Sequence, residues 1–137
     1  MKSGGRLESW FNDGNEDMQA YEACVQAGLL RPAAYHLEQA MQKYLKGVLD
    51  ELGKFSKEDR THDIPYLIEK AKNELLQERL LTFIELGRRL YEGYRFRYLD
   101  SRPSELALSV EALSQWAAEI RRMKAIILEA IKKGQKD

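Results

Sequence analysis

A chain of 137 residues, 44% of them hydrophobic and 32% charged, has enough apolar side chain for one core and too little length for two comfortable ones. Its 22 basic residues balance 22 acidic ones, so no global field draws it to nucleic acid or to a membrane surface, and any such binding has to be local. The lone Cys24 excludes an internal disulfide and a cysteine-built zinc cluster.

The polar start, Met1 to Arg6, and the lack of any apolar run long enough for a signal core or a membrane span point to a single cytoplasmic domain over 1–137, with 1–6 as a loose lead-in. From there Leu7, Trp10, Phe11, Met18, Tyr21, Cys24, Val25 and Leu29 keep helical spacing as far as Gly28, a residue suited to a left-handed cap. Asn12-Asp13-Gly14-Asn15 reads as a turn inside this run, which predicts a regular helix only from about Asn15.

Pro32 suits the first turn of the second helix, Leu30 to Leu52, around which the rest is organised. Ala33, Leu37, Ala40, Met41, Tyr44, Leu45, Val48, Leu49 and Leu52 share one side and predict a buried face. Opposite them His36, Gln39, Lys43, Lys46 and Asp50 form a polar stripe, either a solvated surface or a working face. The short connection makes the first two helices antiparallel neighbours.

Gly53 to Arg60 is polar and aperiodic, a loop. Thr61, His62 and Asp63 then offer capping residues ahead of a short third helix, Pro65 to Leu75, with Ile64, Leu67, Ile68 and Ala71 as its apolar set. His62 either packs beside the start of that helix or faces the polar stripe of the second. A fourth helix is predicted from about Gln77 to Arg95, in which Gly87 either weakens the helix or permits close packing.

Between Tyr94 and Pro103 aromatic and basic residues alternate: Arg95, Arg97 and Arg102 lie among Tyr94, Phe96 and Tyr98. Guanidinium forks match phosphate oxygens and aromatic faces stack on bases, the combination that holds a nucleotide or a single strand. The structural alternative has the aromatics closing the core while the arginines pair with Asp100 and nearby glutamates. A final helix carries Val110, Leu113, Trp116, Ala117, Ile120, Met123, Ile127 and Ile131, with Ser104 or Ser109 as cap and Gly134 at its exit.

Catalytic and metal patterns are sparse. The two histidines sit 26 positions apart, with no His-Glu-x-x-His or glycine-rich phosphate loop, and Cys24 falls on the apolar side of its helix. No metal and no cofactor are expected.

Three stretches in order, Ala34-Tyr35-His36-Leu37-Glu38-Gln39-Ala40-Met41-Gln42-Lys43-Tyr44-Leu45-Lys46, then Thr61-His62-Asp63-Ile64, then Arg97-Tyr98-Leu99-Asp100, resemble the HEPN family, named for a nucleotide-binding domain of higher eukaryotes and prokaryotes. The likeness spans almost the whole chain. It departs at Gln42-Lys43, where many relatives have glutamate-lysine, and at Leu99, where proline is common. The late arginine-x(4–6)-histidine motif of ribonuclease members is missing, since no histidine follows His62; Arg31-Pro-Ala-Ala-Tyr-His36 fits the spacing but opens the second helix.

The resemblance implies an all-α, up-and-down antiparallel bundle of four long helices plus one short helix. It implies a homodimer and a companion to a minimal nucleotidyltransferase, in a toxin-antitoxin type pair or a split enzyme. Its polar site is Gln39, Lys43, Thr61, His62, Arg97, Tyr98 and Asp100: Lys43 and Arg97 on phosphate, Tyr98 stacking, Asp100 orienting Arg97. Trp10, Phe11 and Trp116 are candidates for an apolar dimer surface. The expected function is non-catalytic binding of a nucleotide or of a nucleotidyltransferase partner. The alternatives are a metal-independent endoribonuclease using His36 or His62, with RNA as ligand, and a purely structural dimer.

Overall fold

The apolar side of the second helix forms the centre of the core. The computed structural model describes residues 6–98 and 108–136, without the side chains of 93–98 and 135–136. In α2 (Leu30–Glu51), Leu37, Ala40, Met41, Tyr44, Leu45, Val48 and Leu49 are all at most 1% exposed, because their three- and four-residue spacing brings them to one side of the helix. Against α2 pack α1 (Arg6–Gln26), α3 (Ile64–Leu75), α4 (Ile84–Tyr98) and α5 (Val110–Lys136). The result is an up-and-down, all-α bundle of four longer helices and the short α3. No strand occurs among the described residues, and none of their helices is long and apolar enough to cross a membrane.

Helix ends follow a shared local rule. Gly28 (φ +77°) and Gly53 (φ +71°) take the left-handed conformation, and the following N–H groups reach back five residues, Leu29 to the Cys24 carbonyl at 2.8 Å and Lys54 to the Leu49 carbonyl at 2.8 Å. Such caps satisfy carbonyls that the helix end leaves open. α3 ends the same way at Leu76 (φ 54°), where a non-glycine residue bears the conformation. At the starts, Asp63 accepts the Tyr66 N–H at 3.2 Å on α3, and Ser109 accepts the Ala112 N–H at 3.0 Å on α5.

Several expected boundaries move. α1 begins at Arg6 and runs unbroken through Asn12 to Asn15, because tertiary contacts outweigh the turn-forming composition. The Leu7 N–H donates to Glu51 Oε1 at 3.1 Å, a cap supplied from the far end of α2, and Gly14 lies so close to Tyr44 that a Cβ there would stand 2.7 Å from the ring. A 3-10 turn at Glu78–Phe83 replaces the expected first turns of α4; its three-residue period puts Leu80 and Phe83 on one side, and both are buried. α4 stays helical to Tyr98, past the expected end at Arg95, and α5 runs on to Lys136, so Gly134 lies inside it rather than at its exit. A glycine near an exposed helix end costs only about 1 kcal/mol.

The apolar dimer surface read from the sequence is not present. Phe11 and Trp116 are 6% and 8% exposed. Trp10 is half-buried, its Nε1–H donating to Asp50 Oδ2 at 2.9 Å and its ring tilted against Phe55. These aromatics complete the core and the α1–α2 seam.

Candidate functional site

The polar stripe of α2 is not simply solvated. It faces two seams. Along the first, Asp17 of α1 is 8% exposed; its Oδ2 accepts from Lys43 Nζ at 2.8 Å and its Oδ1 lies 2.8 Å from His36 Nδ1. A carboxylate only accepts, so Nδ1 carries a ring proton, which in the neutral tautomer leaves Nε2 as the acceptor.

The second seam lies between α2 and the segment that enters α3. Lys46 Nζ donates to Gln42 Oε1 at 3.2 Å, which turns Gln42 Nε2 toward His62 Nδ1 at 3.2 Å and Glu38 Oε2 at 3.4 Å. An ammonium can only donate, so this orientation of the amide follows, and His62 Nδ1 is then the acceptor. Burial holds Lys46 below its ordinary pKa; the negative charge of Asp59 opposes that shift and the neighbouring Lys43 adds to it.

Asp59, fully buried at the end of a 3-10 turn (Lys57–Asp59), anchors this entry segment. It accepts from Lys70 Nζ at 2.7 Å, the Tyr66 hydroxyl at 2.7 Å and the Ser56 N–H at 2.8 Å. Burial would push its carboxyl up, but the bonds from Lys70, Tyr66 and Ser56 outweigh it and hold the pKa below the ordinary value. Thr61 serves the same local structure, its Oγ1 accepting the Asp63 N–H at 3.1 Å.

Of the residues named from sequence, Lys43 sits on the first seam and His62 on the second, facing α2. Thr61 shapes the loop between them and α3. Gln39 is half-buried on α2, but Gln42, one turn on, is the glutamine that reaches His62. The side chains of Arg97 and Tyr98, and all of Asp100, lie outside the described residues. Sequence reasoning passed over Asp17, Gln42 and Asp59. A signal existed for two of them: Asp17 lies three and four positions from Gly14 and Tyr21, on the inward side of α1, and Ser56-Lys57-Glu58-Asp59 has the spacing of a capping box.

A second concavity lies elsewhere. α1 and α5 meet through long polar side chains, Arg121 to Glu22 and Lys124 to Asn15, both at 2.8 Å, leaving an open cleft of about 800 Å³ lined by Leu7, Phe11, Lys124, Leu128 and Ile131 among others. Near it the Tyr44 hydroxyl donates to Asn15 Oδ1 at 2.6 Å. Burial raises the Tyr44 pKa to about 12, Arg121 opposing and Asp17 adding to the shift. The rim carries Glu8 and Glu51 as well as Lys132, so it selects neither sign of charge.

The class these features define is an all-α bundle with a polar seam along its central helix. The HEPN domain family model matches residues 7–130, and the chain belongs to that family. Membership supports a nucleotide-binding or RNase-like module in general. Neither the curated proteins nor the solved structures give a match.

Proposed function

We propose that this HEPN domain binds a nucleotide at the second seam without catalysing a reaction, and docks on a nucleotidyltransferase as one half of a toxin-antitoxin type pair. The observation that carries this reading is the contact chain Lys46, Gln42, His62, a hydrogen-bonded row in which a half-buried cation and an exposed imidazole are joined through the buried Gln42 amide. Arg97 and Tyr98, at the end of α4, are assigned to phosphate contact and base stacking, with Asp100 orienting Arg97. Calorimetric titration with ATP and magnesium tests it. Arg97→Ala and His62→Ala should each weaken binding about tenfold or more, the loss expected when a charge-assisted or stacking contact is removed. Unchanged affinity in both variants, or no binding to the unaltered protein, would refute it.

The pairing of Asp17 with His36 favours one alternative. A buried carboxylate that fixes a histidine tautomer leaves Nε2 as a base, which suits an endoribonuclease acting without metal. RNA cleavage that disappears in both His36→Ala and Asp17→Asn would support it; cleavage that survives both would dismiss it. We also propose a homodimer, on the family resemblance. Light scattering should give about twice 15.9 kDa, and a monomer mass at tens of micromolar would contradict it.

A further inference from the structure

We infer that Lys46, rather than Lys43, is the lysine that receives a phosphate group of the bound nucleotide. The inference rests on the nucleotide-binding reading above and adds a residue that the family resemblance did not place in the site.

The two ammonium groups stand on the same side of α2, one turn apart, but their charges are differently committed. Lys43 is paired with a carboxylate at 2.8 Å that is itself buried and shared with His36. Drawing Lys43 away to a ligand would leave Asp17 buried without its cation, a costly state. Lys46 has only a neutral partner, the Gln42 amide oxygen at 3.2 Å, and among the described residues no carboxylate oxygen lies within 4 Å of it. Asp59, which acts on Lys46 only through its field, is held by Lys70, Tyr66 and Ser56.

An ammonium has three protons to donate, and Gln42 takes one. Lys46 is also half-buried, where a charge-assisted bond is stronger than in open water. Burial, which strips water from the cation, also sets its pKa below the ordinary value, with Asp59 opposing that shift. A phosphate oxygen supplies what is missing. The Gln42 amide oxygen positions the cation without neutralising it, as a carboxylate at that position would.

Calorimetry with ATP, tripolyphosphate and adenosine on a small set of variants tests the assignment. Lys46→Gln should weaken ATP and tripolyphosphate binding at least tenfold, while Lys46→Arg, which keeps the charge, stays within about threefold of the unaltered protein. Lys43→Gln should lower the melting temperature and weaken ATP less than Lys46→Gln does. Lys132→Met, which removes an exposed charge on α5, reports any effect of net charge alone and should change nothing. If the protein binds ATP and Lys46→Gln binds it equally well, the nucleotide reading stands and Lys46 is removed from it. If ATP weakens while tripolyphosphate does not, Lys46 does not hold phosphate. If the unaltered protein binds single-stranded RNA but no ATP, or binds neither, both the reading and the inference fall.

Discussion

Asp59 shows how a single side chain can fix a loop. It is fully buried and saturated by donors from the backbone, a phenol and an ammonium, so removing it takes away the carboxylate of Lys70 and leaves that ammonium only the Ser56 hydroxyl at 3.5 Å. Asp59→Ala is expected to cost about 3 kcal/mol, the lower end for breaking a buried ion pair, measured by urea denaturation at pH 7. Its folded pKa lies below the ordinary 3.8. The ionised carboxyl therefore stabilises the fold above about pH 4, and this contribution is lost as pH falls through the folded value. The stability gap between the two proteins should narrow below pH 4; a gap unchanged at pH 3 would contradict the pairing.

Tyr66 and Tyr44 titrate for different reasons, and one substitution separates them. The hydrogen bond to Asp59 is the first cause that raises Tyr66 to about 12, with burial second, whereas burial leads at Tyr44, also at about 12. For a phenol whose folded pKa exceeds its ordinary 10.0, the stabilising effect is complete below pH 10 and is lost as pH climbs through about 12. Ultraviolet titration should thus show late-ionising tyrosines, and in Asp59→Asn Tyr66 should move back toward 10 while Tyr44 stays. Two unmoved phenols would show that the Tyr66 bond is not what holds it. The bond between Asp59 and Ser56 was legible as capping-box spacing, but the bonds to Tyr66 and Lys70 were not, because a residue in an aperiodic stretch carries no sign of which side chains further along it will meet.

At the scale of elements, close helix approach rests on glycines whose neighbours leave no room. A Cβ at Gly47 would stand 2.7 Å from Trp10 Cβ and one at Gly87 would stand 2.8 Å from Ile64 Cγ2, whereas at Gly134 nothing lies within 4 Å. Gly47→Ala should therefore destabilise by about 1–3 kcal/mol through overpacking, although alanine favours helix. Gly134→Ala should be neutral or slightly stabilising. Leu76 is the converse case, a left-handed residue 88% exposed. Relief of its backbone strain, about 1–2 kcal/mol, exceeds the loss of unfolded-chain stiffness, so Leu76→Gly should raise the melting temperature. Thermal denaturation of the three variants checks all three signs.

The helices themselves were legible where periodicity is strong. α2, α3 and the body of α5 were placed to within a residue or so at most ends, since core-facing leucines and isoleucines recur on one side. The failures have a common cause. The first described turn of α1 is held by Glu51, 44 positions away, and the 3-10 turn before α4 by where Leu80 and Phe83 must point; neither is local information. The same limit explains the wrong reading of Trp10, Phe11 and Trp116 as surface, because composition does not say which aromatic finds a groove.

On the scale of the whole molecule, two places could receive a ligand. The seam at Lys46, Gln42 and His62 is polar and holds a cation without a carboxylate partner among the described residues. The α1–α5 cleft is an open concavity of about 800 Å³ with Leu7, Phe11, Leu128 and Ile131 in its walls and charges of both signs at its rim. The measurement that separates them most directly is a titration of isotopically labelled protein with ATP and magnesium, followed residue by residue by nuclear magnetic resonance. Binding at the seam should give saturable shifts concentrated at Gln42, Lys46 and His62, with Leu7, Lys124 and Leu128 unmoved. Shifts confined to the cleft residues, or none at millimolar ATP, would contradict it.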